Sequence, residues 1–314
     1  MSESYTLDKE IQGFIQQTLN FYPADAVDAS VAQQRQWYDA LCAAYRAPRP
    51  ANLQVSDSLV VGKDSHQIPI RTYQVAAEAT QQQVLYAHGG GFVVGGLDSH
   101  DDVCAEIASR CQVDVISVDY RLAPEYHYPQ DLNDCLAVLD CLLAKGHQVV
   151  LAGDSAGGAL SACVTNSRLE ACGTGIIGQV LIYPSLAKDW TTDSMITHAN
   201  APMLTKSDME YYLPLRTNGE PTPFDDSGFI ALANKDLSRL PPTHLFPAEV
   251  DPLCDDCAIY AMALDKAGVA VTNHLSLGQG LVHGHLRARN VSTKAKANFD
   301  GICDSIMQLL GCFE

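Results

Sequence analysis

Short apolar runs alternate with helical patterns between residues 83 and 184, and this alternation governs which folds the chain can adopt. Strands separated by helices in this way run in the same direction within a sheet, and their helical connections are right-handed. The alternation therefore predicts a parallel sheet with helices packed against it. The predicted strands are 83–87, 114–119, 148–152 and 178–184, and the predicted helices are 99–112, 131–146 and 156–171.

Further elements flank this alternating region. Two runs with strand periodicity, 53–61 and 67–75, are separated by Gly62-Lys63-Asp64-Ser65 and predict an antiparallel hairpin. Helical periodicity before residue 48 predicts N-terminal helices that precede the sheet. The remaining predicted strands are 242–246 and 273–277, and the remaining predicted helices are 257–267 and 291–310.

A serine lies at the apex of a predicted strand–turn–helix. The apolar run 148–152 is followed directly by Gly153-Asp154-Ser155-Ala156-Gly157-Gly158 and then by the helical pattern. A serine in the pattern G-x-S-x-G at such a turn is exposed above the sheet, and the flanking glycines allow close approach of two backbones. The three fixed letters recur by chance, so the evidence is their position between strand and helix. We predict that Ser155 is the nucleophile of an acyl-transfer reaction.

A second glycine-rich loop, His88-Gly89-Gly90-Gly91-Phe92, ends the predicted strand 83–87. Successive glycines let backbone N–H groups point at the negatively charged oxygen of a tetrahedral intermediate. We expect an oxyanion hole in which Gly90, Gly91 and Ala156 donate and Gly89 shapes the turn. A phosphate-binding loop is the alternative, but it would require a lysine and a serine or threonine after the glycines, and this loop supplies neither. His88 is expected to fix the loop by hydrogen bonding.

An acid should orient the base that activates the serine, and Asp251 is the candidate. It follows the predicted strand 242–246, at the edge where open α/β sheets place their active-site residues. Asp255 and Asp256 lie close by, but they open a helical pattern, where carboxylates are commonly helix-start residues.

The base should be a histidine between the last strand and the last helix, and two histidines lie there. The glycine at 284 and the apolar residues 281–282 favour His283. His285 is then expected to line the pocket or to be exposed.

Five segments together resemble the hormone-sensitive lipase family of esterases, in its bacterial acetyl-esterase-like branch. The resemblance implies an α/β-hydrolase fold, with a mostly parallel central sheet flanked by helices and a helical cap. It transfers the catalytic triad onto Ser155, Asp251 and His283, and assigns the oxyanion hole to the glycine loop. The family usually has phenylalanine where this chain has His285, so we expect a more polar pocket wall. The segments are 88–91, 119–125, 153–158, 251–253 and 282–284.

This fold implies three parts of the chain. We expect residues 1–48 to form an N-terminal helical part of the cap, 49–184 and 241–314 the α/β-hydrolase body, and 185–240 a second cap segment. The second segment interrupts the alternation of strands and helices. Some of its large apolar side chains should face the acyl or alcohol pocket, and more than half should only pack the cap. These side chains are Met195, Met203, Met209, Tyr211, Tyr212, Leu213 and Phe224.

Charge limits the partners of the chain. It carries 37 acidic and 20 basic residues, for a formal net charge of −17. Such a surface repels nucleic acid and anionic membranes, so neither is expected as a partner. The expected substrate is a small neutral ester. The chain could also form a homodimer. Asp119, Arg121 and Glu125 are expected to form an ion-pair cluster that holds a strand end.

Two further observations concern compartment and cofactors. No secretory signal or membrane-length apolar run is recognisable, and eleven cysteines without disulfide spacing are typical of reduced cytoplasmic proteins. Cys254 and Cys257 form a lone C-x-x-C without a second pair, so we expect neither a metal nor another cofactor.

The sequence thus predicts a serine carboxylesterase that hydrolyses short-chain acyl esters through an acyl-enzyme. An amidase or a carbamate hydrolase would share every residue named. A non-catalytic small-ligand receptor is a further alternative, because the plant gibberellin receptors resemble this family but lack the catalytic histidine. The presence of His283 favours turnover.

Overall fold

The computed structural model describes residues 5–23, 25–76 and 79–312. They contain an eight-stranded sheet whose strands follow the spatial order β1-β2-β4-β3-β5-β6-β7-β8 when numbered along the chain. The strands are β1 (Gln54–Val61), β2 (Gln67–Gln74), β3 (Gln82–Ala87), β4 (Asp114–Val118), β5 (Gln148–Asp154), β6 (Ile176–Ile182), β7 (Thr243–Phe246) and β8 (Val271–Asn273).

The sheet is mostly parallel. β1 and β2 form the predicted antiparallel hairpin, with Val61 paired to Gln67 beside the turn, and β2 runs antiparallel to β4. From β4 to β8 all neighbouring strands are parallel, and each of the crossovers contains a helix or a longer helical segment. The α-helices are α1 (Lys9–Leu19), α2 (Val31–Tyr45), α3 (Asp101–Cys111), α4 (Gln130–Ala144), α5 (Ala156–Asn166), α6 (Asp193–Thr197), α7 (Lys206–Arg216), α8 (Cys254–Lys266) and α9 (Thr293–Leu309).

Both faces of the central strands are buried, which explains why those strands are continuous apolar runs in the sequence. In β3, Val84 and Tyr86 join the core on one side of the sheet, whereas Leu85 and Ala87 join the core on the other side. The first core includes side chains of α3 and α9, and the second includes side chains of α4, α5 and α8. The fold is the predicted α/β-hydrolase architecture.

The last strand is shorter than the sequence predicts and lies earlier. β8 ends at Asn273, and residues Leu275–Gly278 form a 3₁₀ turn, so a strand at 273–277 is wrong. The ladder ends where the N–H of His274 donates to the carbonyl of Leu245, at 2.8 Å. The turn brings the side chain of Leu277 against Gly301 of α9. A Cβ on residue 301 would overlap that side chain. Packing on the last helix therefore overrides the strand pattern.

The expected cluster of Asp119, Arg121 and Glu125 is also wrong. Arg121 pairs with Asp134 of α4 and, on its other side, with a carboxylate of the hairpin turn. Glu125 pairs with Arg35 of α2 at 2.7 Å. Arg121 and Glu125, although close in sequence, thus tie the segment after β4 to different neighbours.

The N-terminal helices meet α7 through polar side chains. The hydroxyl of Tyr22, just after α1, lies 3.0 Å from the hydroxyl of Tyr212 on α7. Gln34 of α2 donates to the hydroxyl of Tyr211 at 2.9 Å. The ring of Tyr212 in turn packs against Gly91 in the loop after β3. These contacts hold residues far apart in sequence over one end of the sheet.

Among the residues that the structure describes, no helix combines the length and the apolar character needed to cross a membrane.

Candidate active site

Ser155 lies in a sharp turn between β5 and α5. Its backbone has φ 53° and ψ −121°, a strained conformation for a residue with a side chain. The N–H of Ser155 donates to the carbonyl of Ile182 at 2.8 Å, and this hydrogen bond holds the turn. Gly153 and Gly157 are required on either side, since a Cβ at either position would overlap backbone carbonyl oxygens. The glycines of the motif therefore allow the tight turn that places Ser155 on the cavity wall.

His283 and Asp251 lie next to this serine. The segments that carry them are joined by a β-bridge between Val250 and Val282. Nε2 of His283 is 2.8 Å from Oγ of Ser155, and its Nδ1 is 2.6 Å from Oδ2 of Asp251. Because a carboxylate only accepts, Nδ1 carries the proton and Nε2 is free to accept the serine proton.

Asp251 is held rigidly. Its side chain is fully buried, and its second oxygen accepts the N–H of Leu253 at 2.9 Å. The carboxylate therefore has a single orientation toward His283. The geometry is that of a hydroxyl, an imidazole and a carboxylate joined by two hydrogen bonds.

The glycine loop lines the cavity together with Ser155. Gly90 and Gly91 have φ values of 132° and 60°, and a Cβ on Gly90 would overlap the carbonyl of Val94. The N–H groups of Gly90, Gly91 and Ala156 have no hydrogen-bond partner within the described part of the chain. All three residues line the same cavity as Ser155. The N–H of Ala156 also stands at the positive end of α5, which favours negative charge.

Gly89 differs from its neighbours, because its N–H donates to Oδ1 of Asp154 at 3.0 Å. A Cβ on Gly89 would overlap the same carboxylate. Its part in the loop is therefore to allow this close approach, as the sequence indicates for the turn.

Asp154 is a residue whose role the sequence analysis missed. Its buried carboxylate also accepts the hydroxyl of Tyr86 at 2.9 Å and lies 3.1 Å from Nε2 of His100. Burial opposes its ionisation, but the charge of His100 and the hydrogen bonds outweigh burial and hold the pKa of Asp154 well below its ordinary value. The carboxylate thus ties the glycine loop to the serine turn. The available signal was a charged residue at the end of a buried strand.

His285 does not line the pocket, and it is not exposed, so both expectations for it are wrong. Its ring is completely buried, with Nδ1 2.9 Å from the carbonyl of Val282 and Nε2 3.0 Å from Oδ1 of Asn298. Burial lowers the pKa of this imidazole. Its edge contacts the ring of Tyr183, which also contacts His283. His285 therefore supports the wall behind His283.

Asp255 and Asp256 lie in the first turn of α8, as predicted, and both also bind the chain that follows β6. Asp255 accepts the N–H of Ser194, and Asp256 accepts the N–H groups of Leu186 and Ala187 at 2.7 and 3.0 Å. Burial raises the pKa of Asp256 to about 7 despite these two donors. The two carboxylates fix the start of the segment 185–240.

His88 fixes its loop, as expected. Its Nδ1 lies 2.8 Å from the carbonyl of Gly89, and its ring stacks on Tyr120 with 4.4 Å between centroids. Burial lowers the pKa of His88 to about 3, so the imidazole is neutral near pH 7.

A cavity of about 520 Å³ opens onto Ser155 and His283. Its walls come from the body, from the N-terminal helices and from the segment 185–240. Most of the apolar side chains singled out in that segment line it, so the expectation that more than half would only pack is wrong. Met195 is buried elsewhere, and Tyr211 is bound to Gln34 instead. The lining side chains are Met203, Met209, Tyr212, Leu213 and Phe224.

In the described part of the chain, no three histidine, cysteine, aspartate or glutamate side chains are arranged to hold a metal ion.

The chain is similar to several known proteins over nearly its whole length. Carboxylesterase NlhH of Mycobacterium tuberculosis is 33% identical over 96% of this chain and 97% of its own length. Ethyl acetate hydrolase of Pseudomonas putida is 29% identical over 92% of both chains. Among solved structures, the hyperthermophilic esterase of Pyrobaculum calidifontis superposes with a TM-score of 0.85 at 27% identity, covering 98% of this chain and 99% of that one.

The family described as alpha/beta hydrolase fold matches residues 84–287, which include the serine turn, the glycine loop and the histidine. Fold, site geometry and relatives agree. The chain belongs to the α/β-hydrolase family, among the esterases that resemble hormone-sensitive lipase.

Proposed function

We propose that the protein is a serine carboxylesterase that hydrolyses short-chain neutral esters through an acyl-enzyme. One observation carries the proposal: Oγ of Ser155 lies 2.8 Å from Nε2 of His283, whose Nδ1 lies 2.6 Å from Asp251, at the wall of an accessible cavity. A receptor would not need a base in reach of a serine. The names of the relatives, which include a carboxylesterase and an ethyl acetate hydrolase, support the ester as substrate.

Acylation begins when His283 accepts the proton of Ser155 at Nε2 and Oγ bonds to the ester carbonyl carbon. The carbonyl oxygen becomes an oxyanion, which the N–H groups of Gly90, Gly91 and Ala156 stabilise. The carboxylate of Asp251 stabilises the imidazolium and keeps its orientation. When the tetrahedral intermediate collapses, the bond to the leaving alkoxide breaks, and that oxygen takes the proton from His283.

Deacylation repeats these steps with water. His283 accepts a proton from the water, the hydroxide attacks the acyl carbon, and the bond to Oγ of Ser155 breaks as Oγ recovers its proton. The products are a carboxylic acid and a free serine.

The cavity supports a preference for small substrates. Its volume of about 520 Å³ is in the range of small-molecule sites, its lining is mostly apolar, and the unpaired N–H groups of Gly90, Gly91 and Ala156 belong to residues on the same wall as Ser155. We propose that residues 1–48 and 185–240 act together as a cap over this cavity. The contacts of α1, α2 and α7 described above support this division of the chain.

A series of p-nitrophenyl esters from acetyl to dodecanoyl tests the proposal, with the Ser155→Ala protein as blank. The specificity constant should be greatest between acetyl and hexanoyl, and the variant should show no turnover above the spontaneous rate. A p-nitrophenyl carbamate and an anilide should be much poorer substrates. Retained activity in the purified variant, or a maximum at dodecanoyl, would contradict the proposal.

A further inference from the structure

Arg216, the last residue of α7, is buried in the wall of the cavity. Only 4% of the residue is exposed. Its Cζ lies 3.7 Å from the ring centroid of Phe92 and 4.3 Å from that of Phe229, and its Nε donates to Oδ2 of Asp131 on α4 at 2.7 Å. Stacking and the ion pair together fix the plane of the guanidinium.

These contacts leave some N–H groups of the Arg216 guanidinium without a partner. Nη1 and Nη2 of Arg216 have no hydrogen-bond partner among the described residues, and of the two only Nη2 is completely enclosed by protein. An unsatisfied buried donor is destabilising, so such a group is rare unless a ligand or a water completes it. Arg216, Phe92 and Phe229 all line the cavity that contains Ser155, and Phe92 directly follows Gly91 of the oxyanion loop.

We propose that Arg216 is a specificity-determining residue that donates a hydrogen bond to a second, uncharged oxygen of the substrate. The preferred esters would then carry a carbonyl or acyloxy oxygen apart from the scissile group, as diesters of short diacids or diacetates of short diols do. This inference rests on the proposed ester hydrolysis and deepens it by naming a substrate class.

The oxygen should be neutral because the charge of Arg216 is already compensated. With Asp131, itself 3% exposed, the guanidinium forms a buried pair of zero net charge. A carboxylate at the same place would add an uncompensated charge in a site of low dielectric, which is costly. The net charge of −17 acts in the same direction. A carbonyl oxygen satisfies the donor without that penalty.

Arg287 provides a matched control, because it is a second arginine on the wall of this cavity. Both of its outer nitrogens already donate, Nη1 to the carbonyl of Ser99 at 3.0 Å and Nη2 to the hydroxyl of Tyr38 at 2.8 Å. Unlike those of Arg216, its outer nitrogens are both engaged, so its substitution should not change a preference for a second oxygen.

The test compares matched substrates in a pH-stat. Dimethyl succinate, glutarate and adipate are compared with methyl alkanoates of equal chain length, and ethylene glycol diacetate is compared with butyl acetate. Each diester rate is halved for its two equivalent groups. The diester preference is the ratio of kcat/KM for a diester to kcat/KM for its matched simple ester. Because the two esters of a pair differ in intrinsic reactivity, this ratio is compared between wild type and variants and not with one.

Two variants remove the donor in different ways. Arg216→Lys keeps a positive charge for Asp131 but loses the planar fork. The double variant Asp131→Asn with Arg216→Met removes both charges, so no buried carboxylate is left unpaired. In at least one substrate series, we expect the diester preference to fall about tenfold in both variants relative to wild type, the size of one lost hydrogen bond from a charged donor. In Arg287→Lys the preference should remain as in wild type.

A purely structural role of Arg216 predicts a different result: both classes of ester would lose activity in parallel and the preference would be unchanged. That result overturns the inference, as does an equal loss of preference in Arg287→Lys. Wild type could also hydrolyse the simple alkanoates and show no diester preference that depends on Arg216. That result would leave the esterase assignment intact and reject only the proposed role of Arg216. Failure of wild type to hydrolyse any ester removes the proposed function itself.

Discussion

At the scale of the residue, the chemistry depends on which of two neighbouring aspartates, Asp251 or Asp255, contacts the imidazole of His283. Asp251 is fully buried, has one oxygen fixed by Leu253, and directs the other at His283. Asp255, four residues later, binds the backbone of Ser194 instead. Two aspartates so close in sequence therefore have unrelated roles, and their substitution should separate catalysis from structure.

Asp251→Asn should lower kcat by about 10⁴, because an amide neither stabilises the imidazolium nor selects the tautomer that leaves Nε2 free. Asp255→Asn, the matched control, should stay close to wild type. The measurement is kcat on p-nitrophenyl butyrate for both variants, with circular dichroism as a check of folding. Comparable losses in the two variants would remove Asp251 from its proposed role.

Asp256 gives a prediction about stability and pH. Burial raises its pKa to about 7 in the folded protein, whereas an exposed aspartate in the unfolded chain titrates near its ordinary value of about 3.9. Between these values the folded state binds the proton more tightly, so its contribution to stability is lost as the pH rises toward 7.

Relative to Asp256→Asn, wild type should lose up to about 1.4 kcal/mol of unfolding free energy per pH unit between pH 5 and 7. The Asn side chain keeps an oxygen for the N–H groups of Leu186 and Ala187, so the comparison isolates the titration. Urea unfolding at several pH values measures both proteins. Parallel pH profiles would show that Asp256 is ionised throughout.

At the scale of the element, the sequence predicts well where burial on both sides imposes a continuous apolar run, as in β3 to β6. It also places the serine turn, because Gly153 and Gly157 are sterically required there. It fails where tertiary contacts decide. The 3₁₀ turn Leu275–Gly278 depends on packing against α9, and the burial of His285 depends on Asn298 of that same helix. Such partners are distant in sequence and leave no local signal.

Helix α7 depends on a local device that can be tested. Thr205 and Asp208 form a reciprocal capping box at its N-terminus, with the side chain of each accepting the other's N–H. Thr205→Ala should destabilise the helix by about 1 kcal/mol and speed hydrogen exchange in its amides.

Ser292→Ala, which removes the N-cap of α9, is the control for that experiment. It should speed exchange in α9 and leave α7 unchanged. Hydrogen exchange followed by mass spectrometry reports both helices in one digest. Unaltered exchange of α7 in Thr205→Ala would mean that tertiary contacts such as Tyr22 with Tyr212 hold the helix without its cap.

At the scale of the whole molecule, the sheet brings residues from four loops to one edge, and the chain as a whole carries a formal net charge of −17. The charge of the surface and the neutrality of the buried Arg216–Asp131 pair both disfavour anionic substrates. Only the first of these effects acts through solvent, and only that one is screened by salt.

Salt should therefore change the selectivity between a hemiester and its neutral diester. At pH 8, the ratio of kcat/KM for monomethyl adipate to that for dimethyl adipate should rise at least about twofold between 10 and 150 mM NaCl, as the Debye length falls from about 30 to about 8 Å. The ratio should stay below one at the higher salt. A ratio that is independent of salt would mean that the surface charge does not reach the substrate path.

The central claim is that His283 activates Ser155 as a nucleophile. The most direct measurement is the site of covalent modification by an alkyl fluorophosphonate, identified by peptide mass spectrometry in wild type, Ser155→Ala and His283→Gln. We predict one equivalent on Ser155 in wild type, none in Ser155→Ala, and labelling slowed at least about 10³-fold in His283→Gln. A modification at another residue, or equal labelling rates with and without the imidazole, would contradict the account.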